Sequence, residues 1–137
     1  MPTIGLYELH SIPIKLPQRQ NSFIYLVDYI IYLNRNSENV VIKPLKNNFL
    51  IELFKDVIDA MVMELYFEDE FKREGVEFIK YAERDLESIE GKTEIEQIEI
   101  INKAFQKINE KDNEIRNNLK LMDIKLADIV LPIKSVR

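Results

Sequence analysis

Arg116-Asn117-Asn118 is the most compact polar group with recognition potential in this 137-residue chain. An arginine can read guanine and an asparagine adenine in the major groove, each through paired hydrogen bonds. The same residues also serve structure, because asparagine caps helices and an arginine pairs with acids. The structural role is the stronger reading. A second group, Glu52, Asp56, Asp59 and Glu64, recurs at helical spacing and could supply a metal pair. Paired metal sites in bundles want an E-x-x-H partner, which is missing here. These acids fall off the neighbouring apolar stripe, so a solvated face is expected.

Other candidates are thinner. Glu70-Phe71-Lys72 and Asp123-Ile124-Lys125 each match the acid-x-lysine half of a metal-dependent nuclease site. Such a half needs a further acid to hold the metal, and it recurs by chance in a charged chain. His10, beside Ser11 and near Glu8, is the only histidine. A triad would need a nucleophile on a strained turn, and no G-x-S-x-G is present. With no cysteine there is no disulfide framework and no thiolate site. Three glycines cannot build a phosphate loop or a G-x-G-x-x-G turn. The chain is therefore expected to be no enzyme by itself and to carry no cofactor and no metal.

The elements that position these residues follow from periodicity. Asn48 to Phe67 holds two adjacent rows, Phe49-Leu53-Val57-Met61-Leu65 and Leu50-Phe54-Ile58-Val62-Tyr66. On a 3.6-residue helix they form one broad apolar stripe. A helix of this kind is stabilised mainly by packing, so the rest of the chain should surround it. Before it, Thr3 to Leu16 reads as an extended arm, with Gly5 and Pro13 discouraging helix. Ser22 can cap a helix over 22–34, whose apolar residues are Phe23, Leu26, Val27, Ile30, Ile31 and Leu33. Val40-Val41-Ile42 can form an edge strand or lie on the core. Asn47 or Asn48 caps the central helix, which can run on to Arg73, with Gly75 as its stop. Further helices are expected over 76–88, 94–110 and 112–121, capped by Thr93 and Asp112 for the last two. Ile124 to Ile133 reads as an extended tail.

The fold expected is mainly α. It is a single domain over 1–137, a small bundle of four to five helices around a central helix 48–67. Its extended N-terminal arm (1–17) and C-terminal tail (124–133) are able to form short strands. Length, 46% apolar content and visible periodicity support one folded domain. No signal-peptide pattern and no window of about twenty apolar residues is seen, so a soluble cytoplasmic protein is expected. The net charge is −5, unevenly spread: residues 1–49 carry +2, and 52–99 carry −10. An acidic face repels phosphate. Contact with DNA would therefore fall to the N-terminal third or the tail.

Three stretches, in this order, resemble a known family. The first holds Ile12-Pro13-Ile14, then Gln20, then Phe23-Ile24-Tyr25-Leu26-Val27-Asp28-Tyr29-Ile30. The second is Ile58-Asp59-Ala60-Met61-Val62-Met63-Glu64-Leu65-Tyr66-Phe67, and the third is Asp112 to Leu119, DNEIRNNL. Together they resemble the C-terminal region of type II (type IIG-like) restriction–modification enzymes, which fuse an adenine-specific DNA methyltransferase to a target-recognition region. The chain lacks that family's cofactor loop, its Asn/Asp-Pro-Pro-aromatic motif and a nuclease domain. The resemblance thus implies the helical tail alone, as a separate gene product, a remnant or a fragment.

What it implies for function is a non-catalytic scaffold associated with target recognition in a DNA restriction–modification system. The partner would be a methyltransferase or restriction subunit. Lys15, Arg19, Arg35, Lys43 and Lys46 would meet phosphate, with Arg116, Asn117 and Asn118 as local candidates. Two alternatives stand beside it. One is a protein–protein interaction or self-association module, including a homo-oligomer, with no DNA role. The other is a fragment of a type I restriction specificity subunit.

Overall fold

The computed structural model describes residues 21–37, 41–42 and 45–135. The expected arm 1–17 lies outside the described residues, as do His10, Lys15, Arg19, Val40 and Lys43. Among the described residues seven helices follow in chain order: α1 (Asn21–Arg35), α2 (Asn47–Tyr66), α3 (Glu68–Arg73), α4 (Ile79–Asp85), α5 (Glu94–Ile108), α6 (Glu114–Lys125) and α7 (Ala127–Ser135). No strand occurs among the described residues, and Val41 and Ile42 pack on the core. The chain is mainly helical, a small bundle around α2.

The face the central helix turns inward overlaps the two rows read in the sequence but does not coincide with them. Leu50, Ile51, Phe54, Val57, Ala60, Met61, Met63 and Glu64 are buried, whereas Phe49, Val62 and Tyr66 are exposed. The stripe is broad enough that neighbouring helices decide which part is covered. Here α1 lies along α2 in the most extensive helix pairing, and α6 packs on another part of it. The Tyr29 ring of α1 meets Phe54 at 5.4 Å, and Phe54 meets Phe105 of α5 edge-on at 6.4 Å. Phe54 thereby joins three helices in one aromatic chain. Such pairs add about 1 kcal/mol beyond the area they bury.

The run expected from 48 to 73 breaks at Phe67, which leaves helical geometry at φ −127°, ψ 45°. The chain restarts as α3 and buries Phe71. Gly75, at φ 71°, then ends α3 in a Schellman closure. Its N–H donates to the Lys72 carbonyl and that of Val76 to the Phe71 carbonyl. Phe71 and Val76 both enter the core, the hydrophobic pairing such a closure favours.

Three caps are set differently from the sequence reading. Lys46, not an asparagine, occupies the N-cap of α2, and buried Asn47 ties down the preceding connector instead. Its Oδ1 accepts from the Val41 N–H at 3.2 Å, and its Nδ2 donates to the Asn36 carbonyl at 3.1 Å. Asn113 rather than Asp112 caps α6, accepting from the Ile115 and Arg116 N–H groups. Ser22 lies inside α1, where its backbone N–H donates to Glu83. Thr93 does cap α5, in a reciprocal box with Glu96.

The tail is also corrected: Ala127–Ser135 is helix, not an extended segment. Leu126, Ile129, Val130 and Ile133 recur at i, i+3, i+4 and i+7, and all four reach the core. Pro132 costs one internal hydrogen bond, which a short terminal helix tolerates when one side is packed.

Candidate functional site

The sequence-derived candidates are dispersed. The first turn of α6 divides Arg116-Asn117-Asn118 among three environments: half-buried, exposed and buried. Asn118 is engaged already, donating its Nδ2 to the Glu77 carbonyl at 2.8 Å and so holding the segment before α4 against α6. A buried amide occupied in this way cannot also read a base edge. Arg35 and Lys46 are exposed, at the end of α1 and the start of α2.

The acids of α2 divide as well. Glu52 and Asp56 are exposed and Asp59 is half-buried. Glu64, expected on a solvated face, is buried. Its Oε1 accepts from the Phe78 N–H at 3.0 Å and the Ile79 N–H at 2.9 Å. Those are donors at the start of α4, which no helical carbonyl can reach. Burial pushes the Glu64 carboxyl up and the two N–H bonds draw it down, while Glu77 and Glu68 add repulsion; the net direction is upward. Glu64 is a remote helix cap, and the absence of a nearby cap residue before Ile79 is the only sequence signal for it.

Both acid-x-lysine pairs fall on helices, where residues i and i+2 do not face each other. Asp123 pairs with Lys134 at 2.7 Å, and Lys125 points to the Glu74 carbonyl. Among the described residues, no group of three His, Cys, Asp or Glu side chains is placed to hold a metal. Nor is any helix among them long and apolar enough to cross a membrane.

An open groove of about 700 Å³ lies beside α1. One wall is α1 itself. Ile24, Asp28, Ile31 and Arg35 follow one another at i, i+4, i+7 and i+11, so they form a single row. Ile24 and Ile31 remain 50% and 42% exposed, and Val27 beside them 45%. The other wall is the turn at 89–92 with the first turn of α5, presenting Ile89, Glu90, Glu94 and Gln97. This wall is pinned. Gly91, at φ 72°, permits the turn, and Gln97 Nε2 donates to the Ile89 and Lys92 carbonyls at 3.1 and 3.2 Å.

Tyr32 lines the groove but is largely covered. Its buried hydroxyl has no hydrogen-bond partner among the described residues. Burial first, and the Glu94 carboxylate second, raise the phenol above its ordinary value. Glu94 acts on it as a neighbouring charge rather than a well-aligned acceptor.

Sequence reasoning missed the groove because α1 is apolar almost all the way round. Phe23, Leu26, Val27, Ile30, Ile31 and Leu33 all looked equally fit for the core. Tyr29 and Tyr32 took inward places that Val27 and Ile31 did not. No protein-family model, curated protein or solved structure matches the chain.

Proposed function

We propose that this chain is a non-catalytic helical scaffold of a DNA restriction–modification system, one that holds a DNA-reading domain against an adenine methyltransferase in the cytoplasm. The observation that carries the scaffold reading is the outward apolar row of α1, Ile24, Val27 and Ile31, beside an open groove. A helix of a lone globular unit turns such a row inward, whereas an interaction surface leaves it free for a partner. The restriction–modification setting rests on the three sequence segments that resemble that family, two of which fall on α1 and α2. Contact with phosphate falls to Lys15, Arg19, Arg35, Lys43 and Lys46, in the part of the chain carrying +2 rather than −10.

A gel-shift titration at low salt tests the reading, with and without a separately supplied adenine methyltransferase subunit. The expected result is a retarded DNA band that strengthens when the methyltransferase is present and fades as salt rises. Absence of a shift in both mixtures removes the DNA-contact role.

A further inference from the structure

We infer that the groove between α1 and the 89–97 wall docks an amphipathic helix of a partner protein whose apolar row is flanked by lysine or arginine. The exposed apolar part of the site is Ile24 and Ile31 on α1, while Ile89 on the other wall is mostly buried in the core. The polar part is mostly acidic: Asp28, Glu90 and Glu94 against the single cation Arg35. A ligand that fits must therefore be apolar along its middle and positive along its edge.

The geometry favours a helix over an extended peptide or a small molecule. From Ile24 to Arg35 the row spans about 16 Å, three helical turns, which matches anchors at i, i+3, i+4 and i+7 on an opposing helix. No sheet edge is present among the described residues to accept an added strand. The donor end of the Gln97 amide is committed to two backbone carbonyls. That commitment also means the wall is formed before the partner arrives, so little ordering cost opposes docking.

This inference deepens the scaffold reading by naming the chemistry of the partner, and it rests on that reading. Its test contains neither DNA nor methyltransferase, so its failure is separate from that of the gel shift. The full chain is titrated into two fluorescent helical peptides, followed by anisotropy. Both carry leucine at i, i+3, i+4 and i+7; one is flanked by lysines and the other by glutamates. The lysine peptide is expected to bind at least about tenfold more tightly than the glutamate peptide. Asp28→Lys with Glu94→Lys should reverse that order. Ile24→Ser with Ile31→Ser should weaken both peptides, with the helical circular dichroism of the chain unchanged. Equal affinity for the two peptides, no binding of the lysine peptide, or indifference to the charge reversal overturns the inference. Sedimentation of the chain alone covers the remaining occupant. A dimer dispersed by the two isoleucine substitutions would assign the groove to a second copy and overturn the inference as well.

Discussion

The two sides of this molecule treat their polar groups in opposite ways. Around α4, several buried polar groups fasten one element to another, although the Ser22 hydroxyl beside Glu83 has no partner among the described residues. Glu64 caps α4 from α2, Asn118 holds the Glu77 carbonyl, and Tyr29 both donates to the Glu87 carbonyl and accepts from the Glu87 N–H. Arg84 binds Asp85 and Glu114 together, and Asn113 reaches Asp85 from the cap of α6. Along the groove the pattern is reversed. The buried Tyr32 hydroxyl has no hydrogen-bond partner among the described residues, and Ile24 and Ile31 are half-exposed. A region whose polar groups satisfy one another is complete in itself. The groove side is pinned to one shape through Gln97 yet leaves the apolar side chains Ile24 and Ile31 half-exposed, and the proposed docking of a partner rests on that area.

That contrast can be broken first at the point both sides share. Phe54→Ala removes the ring joining α1, α2 and α5, and urea unfolding should register a loss of about 4 kcal/mol. A loss under about 1 kcal/mol would mean that the core closes without it. Next comes the latch at α4. Glu64→Ala leaves two N–H groups at a helix start without their acceptor and should cost about 3 kcal/mol, whereas Glu64→Gln retains an acceptor and should cost about 1 kcal/mol. Asn118→Ala frees one buried carbonyl and should cost about 1.5 kcal/mol by the same measurement.

A titration separates Glu64 from the surface pairs. Its folded-state value is raised, so between the ordinary glutamate range and that raised value the folded protein binds more protons than the unfolded one. Its contribution to stability therefore falls as pH rises through that window. Glu114 behaves in the opposite sense. Arg84 holds its carboxyl down to about 2, so its contribution is complete above the ordinary range and is lost as pH falls towards that value. As pH falls from neutrality into the raised range of the Glu64 carboxyl, its contribution to the wild-type melting temperature should rise, and Glu64→Gln should abolish that rise. An unchanged slope in the variant would exclude Glu64 as its source.

The smallest effect on stability belongs to the groove. Ile24→Ser and Ile31→Ser are half-exposed changes and should each stay within about 0.5 kcal/mol of wild type. A larger loss would show that the row supports the fold after all, and the contrast between the two sides would collapse.

Much of the helical content was legible residue by residue. Thr93 with Glu96 marked the start of α5, and Gly75 marked a stop, because caps and left-handed closures are local events. The tail was misread through its short alternation, although Leu126, Ile129, Val130 and Ile133 already carried the helical period. The candidate site was less legible. Arg116-Asn117-Asn118 looked like a unit in sequence, yet a helical turn sends consecutive side chains about 100° apart. Asn118 went inward to Glu77, forty-one residues away.

The sequence by itself determined where helices form, since the spacing of apolar residues and the capping chemistry act within a few positions of one another. Only the tertiary structure decided which side of each helix is covered. Glu64 is buried because the N-terminus of α4 lies against it, and Ile24 and Ile31 are exposed on the helix whose Tyr29 side meets Phe54 of α2. Both outcomes depend on groups far apart in the chain meeting in space. A row of isoleucines carries no mark of whether that meeting will cover it.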